Sequence, residues 1–382
     1  MRVALVHDWL DTWGGGEAVL AELIRMFPGA DVHTLIDVMP PKDRARLHAP
    51  RVIQSRLAAL PGAAYWFRYA AVVWPQVVEG FDLSAYDLVI SDSHAVAKGA
   101  HRPPQARHLC YCHTPARFAW TMSDVYRERA AKGSTLRNVL AKAALNRFRR
   151  WDLAASHGVD RFVANSKHIA RAIHDCYGRD ADVVYPPVDV ARFAVSGVAK
   201  GNYFVTVSRL VPYKRVDLLL EAFRALPECS LVIVGEGADR AELMRRAPAN
   251  VEWRGYLDDA ELVGCVAGAQ AFVYAAEEDF GIALVEAQAA GVPVIAYGRG
   301  GALEIVRGLD AAEPTGVLFD AQAPEAVVPA IRAFLHHRDR FSRVACRSNA
   351  QRFSPERFRD ELGKSIERMC AQPQVLAPAA VS

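Results

Sequence analysis

Apolar residues along this chain fall into two alternating patterns: short, often β-branched runs, and longer stretches in which they recur every three or four positions. The short runs predict strands over residues 2–7, 30–36, 86–91, 107–113, 161–166 and 183–185, then again over 203–208, 230–237, 251–256, 272–276 and 294–297. The longer periods predict helices from a glycine loop to Phe27, from Ser134 to Ser156, over 215–226, 259–268 and 282–290, and from Pro324 onward. Ser166 can cap a further helix that Gly178 ends, and Ser354-Pro355 starts a last one that runs to about Cys370. Residues 40–50 read as a basic, polar loop region, and 190–202 show no clear period. Strand and helix thus alternate, break once and restart. That is an α/β chain with parallel sheets in two domains, 1–187 and 188–353, followed by a helix and tail over 354–382.

The pattern is most telling from Ala275 to Tyr297, which reads as strand end, acidic loop, helix and next strand. Such a loop leaves the carboxyl end of a sheet, where open α/β proteins bind ligands. Glu278 precedes the helix and Glu286 follows eight residues later, so both can serve one ligand, with the helix's first free N–H groups near Gly281 and Ile282 between them. That suits a sugar bound beside a phosphate; the plain alternative is an amphipathic helix carrying solvated glutamates. Other strand ends carry chemistry too. Gly14, Gly15 and Gly16 follow the first strand, in the arrangement that brings backbone N–H groups close to a phosphate. The strand over 107–113 ends in His113, and Arg209 and Lys214 bring two cations to the end of 203–208, where they can neutralise a diphosphate. Asp180-Ala-Asp182 precedes a strand instead of following one and reads as a solvated turn.

Glu278, Phe280, Gly281 and Glu286 stand in a phrase that resembles the E-x7-E signature of the retaining glycosyltransferases of family 4, which have the GT-B fold. The Gly14 loop, His113-Thr-Pro, the Arg209 to Lys214 phrase and Gly255-Tyr256 match that family's other motifs in order. The resemblance implies two Rossmann-like domains facing each other across a cleft, with a C-terminal helix crossing back to the first. It implies a nucleotide sugar held mainly by the second domain and an acceptor by the first. Glu278 would hold sugar hydroxyls, Glu286 the ribose, and Gly255-Tyr256 would meet the base. The Gly14 loop would contact the donor diphosphate and His113 would sit beside the donor sugar. Arg215 stands where the family commonly has glycine, a departure that narrows the site. The opening V-H-D-W-L looks like that of bacterial surface-polysaccharide transferases using GDP-mannose, with UDP-sugars as the alternative donors. A nucleotide-sugar epimerase of the same fold and a non-catalytic nucleotide-sugar sensor are the rival readings.

Composition narrows this further. With 382 residues, 52% hydrophobic and 23% charged, the chain suits two soluble domains, and a net charge of +3 is too small to argue for nucleic acid. Seven scattered cysteines without C-x-x-C spacing fit free thiols, Cys110 and Cys112 as a buried pair on one face of a strand. No metal and no cofactor beyond the nucleotide sugar is expected. No run of about 18 apolar residues is present, so the expected place is the cytoplasm or the inner face of a membrane. Two stretches bear on the membrane. Residues 61–81 pack Tyr65, Trp66, Phe67, Tyr69 and Trp74 around Arg68, as either an interfacial helix or a buried one. Arg147, Arg149 and Arg150 are either a solvated face or a contact for anionic lipid or an acceptor diphosphate. Only the Pro/Ala-rich tail after Cys370 suggests disorder.

Overall fold

In the computed structural model, which describes residues 1–49, 51–121, 135–195 and 197–372, the predicted alternation resolves into two parallel sheets. The first has seven strands: β1 (Val3–His7), β2 (Asp31–Thr34), β3 (Arg51–Gln54), β4 (Leu88–Ser93), β5 (Arg107–Cys112), β6 (Arg161–Ala164) and β7 (Ala181–Val183). They lie in the order β3-β2-β1-β4-β5-β6-β7. The second has six, β8 (Tyr203–Val207), β9 (Ser230–Val234), β10 (Val251–Gly255), β11 (Ala271–Tyr274), β12 (Val294–Tyr297) and β13 (Gly316–Phe319), in the order β10-β9-β8-β11-β12-β13. Each sheet therefore changes winding direction once, between β1 and β4 and between β8 and β11. These are the points where loops part and leave a crevice at the strands' carboxyl ends.

Both faces of each sheet are covered, which is why the central strands are largely apolar and why the polar residues they do carry, His7, Asp92 and His108 among them, are buried. Leu5, Ile90 and Leu109 pack with Val19, Leu20 and Leu23 of the Gly15–Met26 helix; Ala4, Val6 and Val89 pack on the other face with Trp74, Val78 and Phe148. In the second sheet Phe204, Ile233, Val273 and Ile295 meet Leu219 and Phe223 of the Val216–Arg224 helix and Val327 and Ile331 of the Pro324–His336 helix. The described chain forms two compact units, Met1–Pro187 with the helix from Phe358 onward, and Val188–Arg357. The Pro355–Ala371 helix repeats apolar residues at Phe358, Leu362, Ile366 and Met369, and that stripe joins the first sheet's core. Ser365 and Arg368 of this helix both donate to Asp182.

Four sequence expectations change here. The 40–50 region holds a short helix, Pro41–Arg46, opened by proline at its first turn. Residues 61–81 are not one helix: Ala63–Trp66, a turn at Phe67–Tyr69 and Trp74–Glu79 follow in succession, because Pro75 can sit only at a helix start. Within this stretch Phe67 and Trp74 are core residues packed on Trp9, so neither is available to a membrane. Asp182 is no solvated turn; it lies in β7 and accepts from Arg161, Ser365 and Arg368, while Asp180 stays exposed. The long helix is described over Thr135–Ser156, so its expected start at Ser134 and the Pro/Ala-rich tail from residue 373 lie outside the described residues.

Candidate active site

At the winding change of the second sheet, β8 and β11 end side by side and send out the two loops that carry Lys214 and Glu278. Lys214 Nζ reaches Glu278 Oε1 in a short ion pair and lies 3.1 Å from the Tyr274 hydroxyl, which donates to the same Oε1 at 2.6 Å. One carboxylate oxygen is thus occupied twice while Oε2 accepts no hydrogen bond among the described residues, and an ammonium with three donors keeps one more N–H. Burial, reinforced by Glu278, holds the Tyr274 phenol well above its ordinary pKa, so it stays a donor. The loop's backbone is clamped from behind. Glu278 bridges to Gly300, Gly301 N–H donates to Glu278 O at 2.8 Å, and a Cβ on Gly301 would stand 2.0 Å from Phe280 O. Only glycine permits that approach.

Gly281 precedes the Ile282–Ala289 helix at φ 104°, a left-handed conformation that leaves the helix's first N–H groups open. Glu286 is half-buried in the middle of that helix. Burial pushes its carboxyl up to about 7, Arg192 opposing and Asp189 and Asp259 adding to the rise. Arg192 is itself held 2.8 Å from Asp259. Arg209 is exposed and donates to the Tyr213 hydroxyl at 2.5 Å. Phe280 is buried edge-on to Phe353, so its side chain packs and only its backbone faces the loop. Gly255 takes φ 59° beside Glu236, and Tyr256 is 78% exposed. Arg215 adopts φ 52°, the conformation glycine would take without strain, and its guanidinium turns to Asp217 and Gln322.

The first unit gathers a second set of groups at the ends of β1, β4 and β5. His113 Nε2 lies 2.5 Å from Asp92 Oδ1, and Asp92 Oδ2 lies 2.9 Å from His7 Nδ1. Gly16 closes over them: a Cβ there would lie 3.5 Å from His7 Cε1 and 3.7 Å from His113 Nε2. Asp8, fully buried, accepts four backbone N–H groups from His94 to Ala97 at 2.6–2.9 Å and faces His94 Nδ1 at 3.1 Å. Burial would raise the Asp8 pKa, but His94 and these N–H groups hold it below its ordinary value. Of the residues expected from sequence, then, Lys214 joins Glu278, Arg209 and Lys214 face the same Tyr213 ring at 6.0 and 5.4 Å, and Gly16 joins His113, whereas Glu286 makes no hydrogen bond to the Lys214 contact among the described residues. Tyr274, His7 and Asp92 were not expected. Their signal is positional: each ends or adjoins the end of a strand next to the winding change.

The arginine cluster divides. Arg149 donates to Ala119 O and lies over Trp120, whereas Arg147 and Arg150 are exposed. Arg147 borders a groove of about 660 Å³ lined by Arg56, Val72, Val73, Val77 and Phe81. Among the described residues no helix is long and apolar enough to cross a membrane, and no group of three or more His, Cys, Asp or Glu is placed to hold a metal ion. Cys110 and Cys112 are both buried free thiols.

The chain as a whole is similar to known proteins. Residues 190–353 match the model of glycosyl transferases group 1, and residues 13–192 that of Glycosyltransferase Family 4. A D-inositol 3-phosphate glycosyltransferase of Segniliparus rotundus is 33% identical over 248 residues, 57% of this chain and 54% of that one, so the match spans about half the relative's length. A GDP-mannose-dependent alpha-(1-6)-phosphatidylinositol monomannoside mannosyltransferase of Mycobacterium tuberculosis is 27% identical over 379 residues, 89% of this chain and 90% of that one. Among solved structures, Anabaena Alr3699/HepE in complex with UDP superposes with a TM-score of 0.69 at 18% identity, over 96% of this chain and 100% of that one.

Proposed function

This chain belongs to the family-4 glycosyltransferases of the GT-B fold, and we propose that it is a retaining, metal-independent hexosyltransferase. On this reading it moves mannose from GDP-mannose to a lipid-linked or oligosaccharide acceptor in surface-polysaccharide synthesis. The observation that carries it is the Lys214–Tyr274–Glu278 arrangement at the winding change of the second sheet. It presents one carboxylate oxygen for sugar hydroxyls and one ammonium N–H for a phosphate. The GDP-mannose-dependent relative, aligned over almost its whole length, supports the donor. The UDP-bound structure keeps a UDP-sugar as the second candidate.

In this mechanism the anomeric C–O bond to the diphosphate breaks while the acceptor oxygen bonds the same carbon from the same face, and a donor phosphate oxygen takes the acceptor's proton. Catalysis then needs the leaving diphosphate neutralised and the sugar held in place. Arg209, Lys214, the Gly14–Gly16 loop and the N–H groups at Gly281 and Ile282 serve the first need. Glu278 holds sugar hydroxyls and Glu286 the ribose, with Gly255 and Tyr256 at the base. His113 orients and electrostatically assists the sugar. The acceptor is reached at an anionic membrane surface, for which exposed Arg147 and Arg150 supply charge and Val72 and Val73 supply apolar contact.

The test is incubation of the protein with a panel of nucleotide sugars and a polyprenyl-diphosphate-linked acceptor, with and without EDTA. A glycosylated lipid formed from GDP-mannose and undiminished by EDTA is expected. Conversion of a nucleotide sugar to its epimer without acceptor, or activity that chelation stops and magnesium restores, defeats the proposal.

A further inference from the structure

His7, Asp92 and Glu17 have no place in the mechanism above, yet they form a buried charged cluster beside His113. Strand register brings them together, because β1 and β4 pair with His7 opposite Asp92. The side chains of both are fully buried, and His113 is 14% exposed. Asp92 therefore meets an imidazole at each oxygen, His7 at 2.9 Å and His113 at 2.5 Å. On its far side, His7 Nε2 lies 3.6 Å from Glu17 Oε1 and has no hydrogen-bond partner.

The charges facing His7 come from every element around it. Asp92 approaches from β4, Glu17 from the Gly15–Met26 helix and His113 from the end of β5, while the His94 ring centroid lies 6.2 Å away in the loop after β4. Asp8, next along the chain, is committed to the N–H groups of residues 94–97 and to His94. Burial opposes a charge on His7, but Asp92 and Glu17 outweigh it and raise its pKa well above the ordinary value. Burial likewise opposes a charge on Asp92, and His113 and then His7 outweigh it, holding the carboxyl down to about 2. The result is a desolvated carboxylate locked between two rings, an arrangement that fixes a histidine's orientation and tautomer.

We propose that His7 and Asp92 are positioning residues for His113: His7 grips one oxygen of Asp92 so that the other accepts Nε2–H of His113, leaving His113 Nδ1 as the nitrogen turned to the donor sugar. Gly16 lies against both rings, since a Cβ there would stand in van der Waals contact with His7 Cε1 at 3.5 Å and His113 Nε2 at 3.7 Å. The inference rests on the reading of His113 as a residue beside the donor sugar.

Two measurements test it, and the first reads the tautomers in the unaltered protein. Long-range 1H–15N imidazole spectra of the full chain, with His7 and His113 assigned by single substitutions, should show His113 as the Nε2–H tautomer and His7 protonated on both nitrogens at neutral pH. His113 found as the Nδ1–H tautomer overturns the proposal. The second is a double-mutant cycle with the nucleotide sugar that the donor panel selects. His7→Gln should lower kcat about 10- to 100-fold with little change in donor KM, and should lower it no further in a His113→Ala background. An equal loss in both backgrounds means that His7 acts through the fold and sinks the proposal. Full activity of His113→Ala with the expected tautomer in the spectra would instead remove the role given to His113 while leaving the geometry intact.

Discussion

Replacing Glu286 by glutamine should stabilise the free protein at alkaline pH and leave it unchanged in acid. In an unfolded chain this carboxyl titrates near 4.5, whereas in the fold burial lifts it to about 7. The sign is the reverse of a salt-bridged carboxylate. Below 4.5 it is protonated in both states and contributes nothing; between 4.5 and about 7 only the unfolded chain ionises, so the fold loses stability as pH rises, and above 7 the loss is complete. The full interval corresponds to roughly 3 kcal/mol, and solvent screening of a half-buried group reduces that to about 1–2 kcal/mol. Urea unfolding followed at pH 4 and pH 8 reads it directly. Asp92, held down to about 2, stays ionised at both values and does not confuse the comparison. Glu286→Gln should match the wild type at pH 4 and exceed it by that amount at pH 8. On the ribose-holding role proposed for Glu286, the same ionisation governs the donor, because a carboxylate accepts hydroxyl hydrogen bonds better than a protonated carboxyl does. Donor KM should therefore fall as pH rises through 7 in the wild type and stay flat in the variant. Equal unfolding midpoints for the two proteins at pH 8 would refute the reasoning about burial.

Lys214→Ala and Glu278→Ala should each lower kcat about a hundredfold or more with the fold retained, because each removes a preorganised charge on a loop rather than core packing; near-normal turnover in either purified variant removes the assignment. Gly301→Ala should lower both activity and melting temperature, since its Cβ would stand 2.0 Å from Phe280 O and displace the Glu278 loop; unchanged kinetics would show that the loop is not clamped. Arg147→Glu with Arg150→Glu should weaken sedimentation with anionic liposomes by more than about 1 kcal/mol per site at low salt without changing donor affinity. Wild-type protein left wholly in the supernatant would point to a soluble acceptor instead.

What the sequence reveals and what it hides follow from the separation of interacting groups along the chain. The loop and helix from Ala275 to Ala290 are contiguous, so strand end, acidic loop, glycine and helix can be read in one phrase, and the structure reproduces them in place. Lys214 is 64 residues from Glu278 and could be joined to it only by the rule that adjacent parallel strands bring their ends together. Tyr274 has only its place at a strand end to mark it, because a tyrosine closing an apolar strand otherwise reads as core and only its hydroxyl meets Lys214 and Glu278. β3 went unseen because its edge position leaves Arg51 and Gln54 exposed and no apolar run to detect. The aromatic stretch over 61–81 differs: composition is the same for a membrane-facing and a core-facing surface, and neighbours distant in sequence, Trp9 after β1 for both and Phe118 for Trp74, turn Phe67 and Trp74 inward.

His7 and Asp92 make the sharpest case. They are 85 residues apart, and neither is notable alone, a histidine and an aspartate at the ends of two strands. Register converts them into a pair, since a shift of β1 against β4 by one residue would turn one side chain to the opposite face and leave a buried carboxylate with a single partner. Taking one partner from a buried charge is destabilising, so the apolar packing that fixes the register of Leu5 opposite Ile90 also fixes the cluster beside His113. The chemistry at the carboxyl ends of the first sheet's central strands is in this sense specified by its core.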